Sequence, residues 1–318
     1  MEQCTAVLSC QDVRKLWRKQ YLERSGGKGL PRDLSPFRYP GGKGSLKYFL
    51  ANTVHENFPN GANFVEPFCG GAGASIPLLE SGVIDELWLN DANPAVSSFW
   101  ENVFFNTDAL LDLINTTPVT IEQWHIWKDV INNPSESSML ELGFAAFFMN
   151  RCNRSGLLNG GPIGGLEQLG KYKIDCRYNR YELMERINVI AKHRDKVRVF
   201  NLDACDFMES LSDDVLTSSF IFIDPPYVSQ GKSIYKEFSF AEDEHRRLSE
   251  YIKQKDWCWL ITYDEHPLIH SIYSDRDIGA LEFSYIMQQA KIGRELLVTS
   301  SLCNVILPST GNLVCENK

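Results

Sequence analysis

Apolar positions in this chain gather into short continuous runs, and the stretches between them carry helical spacing. The runs Phe64-Val65, Glu86 to Leu89, Val197 to Leu202, Phe220 to Ile223 and Trp257 to Tyr263 read as strands. Helical spacing covers Leu46 to Asn57, the stretch through Ile76 and Leu79, most of residues 95–195, and Ala241 to Lys253. Leu281 to Ile286 and Glu295 to Leu302 read as two more strands joined by a polar turn. Strands alternating with helices predict an α/β fold: a doubly wound, mostly parallel sheet with helices on both faces, closed by an antiparallel hairpin. Within the long helical stretch, Phe99, Trp100, Phe104, Trp124 and Trp127 are spaced for core packing.

At 318 residues and 43% hydrophobic content, the chain can bury one main core with a subdomain beside it. Residues 1–34 form a polar, partly helical lead-in in which Ser25-Gly26-Gly27-Lys28-Gly29 suggests a flexible joint. That glycine cluster is no phosphate loop, because no strand precedes it and no Ser or Thr follows the lysine. Residues 35–100 and 196–303 hold the alternating strands and are expected to form the main domain. Residues 101–195 are expected to form an inserted, mainly helical subdomain, and residues 304–318 a tail.

Charge and cysteine usage narrow the class. The net charge is −9, yet from Arg151 to Arg198 eleven basic residues stand against five acidic ones. A local excess of six positive charges on a body carrying −15 is the asymmetry of a protein with a polyanionic partner. Nine scattered cysteines with no Cys-x-x-Cys pair argue against a disulfide framework and against a zinc site, and no metal is expected. No apolar run nears the roughly 20 residues that span a bilayer; the longest candidate, Gly143 to Met149, fits a buried helix. With no signal-like start at Met1-Glu2-Gln3-Cys4, the expected location is the cytoplasm, with no membrane partner.

Candidate chemistry sits where strands end. Asp224-Pro225-Pro226-Tyr227 follows directly on Phe220-Ile221-Phe222-Ile223, and strand carboxyl ends are where open α/β sheets bind ligands. Two prolines stop the strand, stiffen the loop and leave the Pro225 carbonyl free to accept a hydrogen bond. A carboxylate, a carbonyl and a ring face suit a planar amine, although the four residues alone read equally as turn chemistry. A second site element is the turn Glu66-Pro67-Phe68-Cys69-Gly70-Gly71 after the first strand, with Asp91 closing the next strand about 20 residues on. Glycines admit close backbone approach and the distal acid can bind both ribose hydroxyls. The spacing departs from Gly-x-Gly-x-x-Gly, which disfavours a dinucleotide with a pyrophosphate to seat, and a cofactor with a ribose but no phosphate fits better. In the insert, Asn150-Arg151-Cys152-Asn153-Arg154 through Gly165 is a long loop of Asn, Arg and Gly, the first two being side chains that pair with base edges.

These motifs together resemble the Dam-type (D12 class) DNA adenine-N6 methyltransferases, which use S-adenosyl-L-methionine. The resemblance runs from about Ser35 to Ser301 through Phe37-Arg38-Tyr39-Pro40-Gly41-Gly42-Lys43, the Glu66 turn, Asn90-Asp91 and Asp224-Pro225-Pro226-Tyr227, in the family's order. It implies a class I methyltransferase-like, Rossmann-related fold. It implies that Tyr39 and Lys43 cover the methionine end of the cofactor and hold its carboxylate, that Glu66, Phe68 and Gly70 line the loop beneath, and that Asp91 binds the ribose. An acid after the third strand would meet the cofactor's adenine; Asp203 and Asp206 are both candidates. The resemblance further implies that Asp224 borders cofactor and target alike and, with Pro225, Pro226 and Tyr227, forms the catalytic set.

The implied reaction is methyl transfer to the N6 amine of an adenine flipped out of double-stranded DNA. Arg151, Asn153, Arg154, Asn159, Lys171 and Arg177 are the candidate DNA-facing residues. The resemblance leaves open a cognate restriction nuclease as a further partner. Rival readings are a cytosine-N4 enzyme, which typically has Ser in place of Asp224, a protein-glutamine methyltransferase with Asn there, an adenine methyltransferase acting on RNA, and a catalytically silent nucleic-acid-binding module.

Overall fold

The computed structural model describes residues 10–32, 34–39, 41–229, 240–286 and 290–305. Its seven strands are β1 (Asn63–Glu66), β2 (Glu86–Asn90), β3 (Val197–Phe200), β4 (Ser219–Ile223), β5 (Cys258–Asp264), β6 (Ile278–Ile286) and β7 (Ala290–Thr299). They form one sheet in the order β3-β2-β1-β4-β5-β7-β6, parallel from β3 through β5, with β7 antiparallel to both its neighbours. This is the doubly wound, mostly parallel sheet with a closing hairpin expected from the alternation of runs. The strand order reverses between β1 and β4, and a crevice opens at such a switch point beyond the strand ends.

The continuous apolar runs have a direct cause: a parallel strand is covered on both faces. Every residue of β4 is buried. Phe220 and Phe222 enter one apolar cluster, while Ile221 and Ile223 enter another on the opposite face. The first cluster takes in helices α2 (Lys47–Asn57), α4 (Pro94–Phe105), α7 (Met139–Cys152) and α8 (Arg180–Ala191); the second takes in α9 (Ala204–Ser210) and the helices Glu242–Lys253 and Pro267–Ile272. Short α3 (Ser75–Glu80) follows the glycine turn, and α5 (Thr107–Thr116), α6 (Ile121–Asn132) and α10 (Asp213–Thr217) complete the connections. Gly143 to Met149 is a buried helix, as expected; a Cβ on Gly143 would lie 2.5 Å from the Ser98 carbonyl, so glycine is what lets α7 press against α4. The helices of the insert therefore share one buried cluster with one face of the sheet.

The lead-in is partly helical, as expected, and its helix is packed. Helix α1 (Cys10–Arg24) docks on α2, burying Trp17 and Tyr21; the Trp17 ring lies 4.9 Å from Phe49, and Asn52 Nδ2 donates to the Trp17 carbonyl at 2.9 Å. Gly26 and Gly27 hold positive φ (64° and 88°) and Gly27 N donates to Leu22 O at 2.8 Å, a glycine C-cap. Two aromatics one turn apart anchor the helix, and the charges around them mask that stripe in the sequence.

Candidate active site

Strands β1, β2, β4 and β5 end side by side, so the acids that close them converge. Asp224 leaves β4 with its carboxylate held by two donors: Thr262 of β5 donates its hydroxyl to Oδ1 at 2.6 Å, and Lys43 Nζ lies 2.9 Å from both Oδ1 and Oδ2. The Lys43 ammonium is 6% exposed; it also donates to Gly41 O at 2.8 Å and lies 4.8 Å from the centre of the Tyr227 ring. The sequence-based role for Lys43 was to hold a cofactor carboxylate; here its charge is paired with Asp224. Pro225 is buried, and the turn continues to Val228 and Ser229, whose N–H groups donate to the Asp264 carboxylate at 3.0 and 2.9 Å.

The glycine turn and Asp91 form the second half. Gly70 N donates to Asp91 Oδ2 at 3.0 Å and Asn93 N to Oδ1 at 3.0 Å, so the acid at the end of β2 is bonded to the turn after β1. Gly70 has φ +43°, and a Cβ there would come within 2.9 Å of the Tyr39 ring, which packs over the turn. Trp100 Nε1 fixes the Gly70 carbonyl from below at 2.8 Å. Burial pushes Asp91 up to about 6, against the pull of its two backbone donors. Burial pushes Glu66 up to about 8; the Ser75 hydroxyl, 2.5 Å from Oε2, opposes this, and the charges of Asp224 and Asp91 add to it. Phe68 stands partly exposed, edge-on to Phe240 at 5.5 Å.

Beyond β3, Asp203 caps α9 by accepting from Cys205 N (3.0 Å) and Asp206 N (3.4 Å). Arg247 bridges both candidate acids, at 2.8 Å from Asp203 and 3.3 Å from Asp206. Asp203 lies closer to the strand end and is the less exposed of the two, at 36% against 69%.

Comparison with known proteins gives the family. Residues 39–291 match the D12 class N6 adenine-specific DNA methyltransferase family. The chain belongs to that family. A curated relative of this D12 methyltransferase is the Type II methyltransferase M.MjaIII of Methanocaldococcus jannaschii, 20% identical over 70% of this chain and 81% of that protein. A solved structure, the rRNA methyltransferase aviRa from Streptomyces viridochromogenes, aligns over 84% of this chain and 88% of its own, at 13% identity and a TM-score of 0.36. Among the described residues of the D12 chain, no cluster of side chains could hold a metal ion, and no helix is long and apolar enough to cross a membrane.

The Asn/Arg/Gly loop of this D12 protein is bonded throughout, and its residues divide. Asn153 is fully buried: its Oδ1 accepts from Trp124 Nε1 (2.7 Å) and its Nδ2 donates to the carbonyls of Leu157 (2.7 Å) and Leu158 (3.1 Å). These bonds staple the loop. Arg151 is half-buried, donating to Arg177 O (2.8 Å) and Pro36 O (3.4 Å), and burial with Arg38 and Arg186 nearby pulls it down to about 10. Arg154, Asn159, Lys171 and Arg177 are exposed; Lys128 Nζ donates to Asn159 Oδ1 at 3.0 Å.

Sequence reasoning missed Thr262, Asp264 and Asn150. Asn150, fully buried in the last turn of α7, accepts from Arg38 N at 2.7 Å and donates to Arg38 O and, at 3.0 Å, to Gly156 O. It thereby ties the loop to the segment that carries Tyr39. The signal that could have found these residues is a polar side chain in an apolar run, since buried polar groups are kept where they have partners.

Proposed function

We propose that this chain transfers a methyl group from S-adenosyl-L-methionine to the N6 amine of an adenine rotated out of DNA. The observation that carries the reading is an N–H donor already seated between the Asp224 carboxylate and the Tyr227 ring: the Lys43 ammonium, 2.9 Å from the one and 4.8 Å from the centre of the other. An exocyclic amine stacked on Tyr227 would meet the same acceptor. Family membership supports adenine as the base and DNA as its polymer.

The residues present fit the cofactor. Tyr39 packs over a turn that only glycine allows at position 70, Asp91 offers paired oxygens at the end of β2, and Glu66 and Phe68 line the turn between them. Asp203, at the end of β3, is our choice for the adenine-facing acid. When bound, S-adenosylmethionine supplies an electrophilic methyl group. The amine of adenine is a poor nucleophile because its lone pair is delocalised into the ring. Asp224 and the Pro225 carbonyl, each accepting one N–H, would hold that nitrogen pyramidal and free its lone pair for in-line attack; the methyl–sulfur bond would break as the N–C bond forms, a neutral thioether would leave, and the surplus amine proton would pass by way of Asp224 to water, with positioning and charge stabilisation supplying the acceleration. Stacking on Tyr227 offsets part of the few kcal/mol that rotation out of the duplex costs. Arg154, Lys171 and Arg177 are the phosphate-facing charges of this reading, with Asn159 beside them.

The test is methyl transfer from labelled cofactor to unmodified DNA, followed by mass spectrometry of the nucleosides. N6-methyladenine is expected. N4-methylcytosine would name the cytosine enzyme, label in RNA alone would change the polymer, and no label in any polymer would leave a silent binding module. Asp224→Ala should abolish transfer while calorimetry finds cofactor affinity retained; parallel loss of both would remove Asp224 from its role.

A further inference from the structure

Strand β5 sends alternate side chains beneath the Asp224 turn. Thr262 holds the acid itself, and two residues on, Asp264 holds the backbone at Val228 and Ser229. Tyr263, between them, faces the other side of the sheet, where its hydroxyl lies 3.1 Å from His245 Nδ1. Period-two alternation thus puts two braces on one face of the strand, one at each end of the four-residue motif.

Thr262 is fully buried, and its backbone is already paired in the sheet opposite Leu297. Valine would match its shape and its strand preference without a hydroxyl to desolvate. The hydroxyl is kept and spent on one contact, 2.6 Å to Asp224 Oδ1. An ionised carboxylate only accepts, so the direction of that bond is fixed. The Lys43 ammonium lies 2.9 Å from both oxygens, whereas Thr262 bonds Oδ1, which leaves Oδ2 as the oxygen for an amine that takes the ammonium's seat.

We propose that Thr262 is a positioning residue for methyl transfer: its hydroxyl fixes the rotation of the Asp224 carboxylate so that Oδ2 faces the target amine. The proposal rests on the adenine-N6 reading above. The terminal torsion of an aspartate is broad and two-fold, so without a donor on Oδ1 the acceptor is no longer aimed. A misplacement of about 1 Å in such a contact costs on the order of 10²-fold in rate.

The experiment compares wild type, Thr262→Val and Thr262→Ser in single-turnover transfer to DNA, with cofactor affinity by calorimetry and a crystal structure of the valine variant. Valine should lower the rate constant about 10²-fold with cofactor affinity unchanged, serine should restore most of the rate, and the valine structure should show the Asp224 carboxylate turned. A valine variant as fast as wild type, a serine variant as slow as valine, cofactor affinity falling in step with rate, or an unmoved carboxylate each overturns the proposal. If the wild type forms no N6-methyladenine the functional reading fails instead, and the carboxylate's orientation in the valine structure still decides what Thr262 does.

Discussion

Lys43 and Asp224, 181 residues apart in the chain, form an ion pair at 2.9 Å in which the lysine is almost fully buried and the aspartate is 19% exposed. The pair joins the residue expected at the cofactor's carboxylate to the residue expected at the target amine. Under the proposed roles, a lysine that turned to the first would release the second, and filling one site would free the acceptor of the other.

This exchange makes Lys43→Met and Asp224→Asn distinguishable. Lys43→Met should weaken cofactor binding about tenfold, about 1.4 kcal/mol, and lower unfolding free energy by about 1–3 kcal/mol, the usual range for losing a hydrogen bond to a charged group. Asp224→Asn removes a competitor for the ammonium and should leave cofactor affinity undiminished. Calorimetry on both variants checks this; equal losses would mean that the two residues act as one unit in cofactor binding.

The packing of Tyr39 on Gly70 is a second test. Gly70→Ala forces an L-residue to φ +43° and puts a methyl within 2.9 Å of the Tyr39 ring. The backbone cost alone is about 1–2 kcal/mol. Adding Tyr39→Ala relieves the clash but not the torsion, so urea unfolding of the two single variants and the double variant should give a coupling of at least about 0.5 kcal/mol. Strict additivity would mean that the ring does not bear on the turn.

Glu66 sets a dependence of stability on pH. Its folded-state value is raised to about 8, so across neutral pH the folded protein holds a proton that the unfolded chain has released. Stability therefore falls as pH rises toward 8, with a limiting slope of about 1.4 kcal/mol per pH unit. Asp91, raised to about 6, adds the same sign only at lower pH, so the window from about pH 6.5 to about 8 reports Glu66. Denaturant unfolding across that window should show the slope in the wild type and a flat line in Glu66→Gln. A slope that survives the substitution would assign the proton elsewhere.

The cationic loop divides into braces and phosphate-facing charges. Replacing Arg154 or Lys171 by Ala should each flatten the log–log salt dependence of DNA binding by about 0.9 for every phosphate left without its cation. Arg151→Ala should instead lower unfolding free energy, since its guanidinium holds the carbonyls of Pro36 and Arg177. A change of slope for Arg151→Ala with stability intact would return it to the DNA face.

Much of this was legible in the sequence because it is written in neighbouring residues. A run of four apolar residues ended by two prolines states where β4 stops; glycines after Glu66 state where the chain turns tightly; Asp91 follows from the length of one helix and one strand. Other contacts were not legible. Asn153 and Arg151 are of the residue types that read bases and phosphates, and in the fold they also bond Trp124 and backbone carbonyls. The lead-in reads as polar because, among the described side chains of its helix, Trp17 and Tyr21 alone are buried in the core.

The sequence by itself determined the succession of strands and helices along the chain, the motif at each strand's end and, through those motifs, the family. Only the tertiary structure decided which side chains share a bond: Lys43 with Asp224, Thr262 with Asp224, Asn150 with Arg38. The reason is physical. Turns and strand ends are set by backbone torsions that consecutive residues fix, whereas a buried polar contact depends on sheet register and on what else the core excludes from water, and residues far apart in the chain set both together.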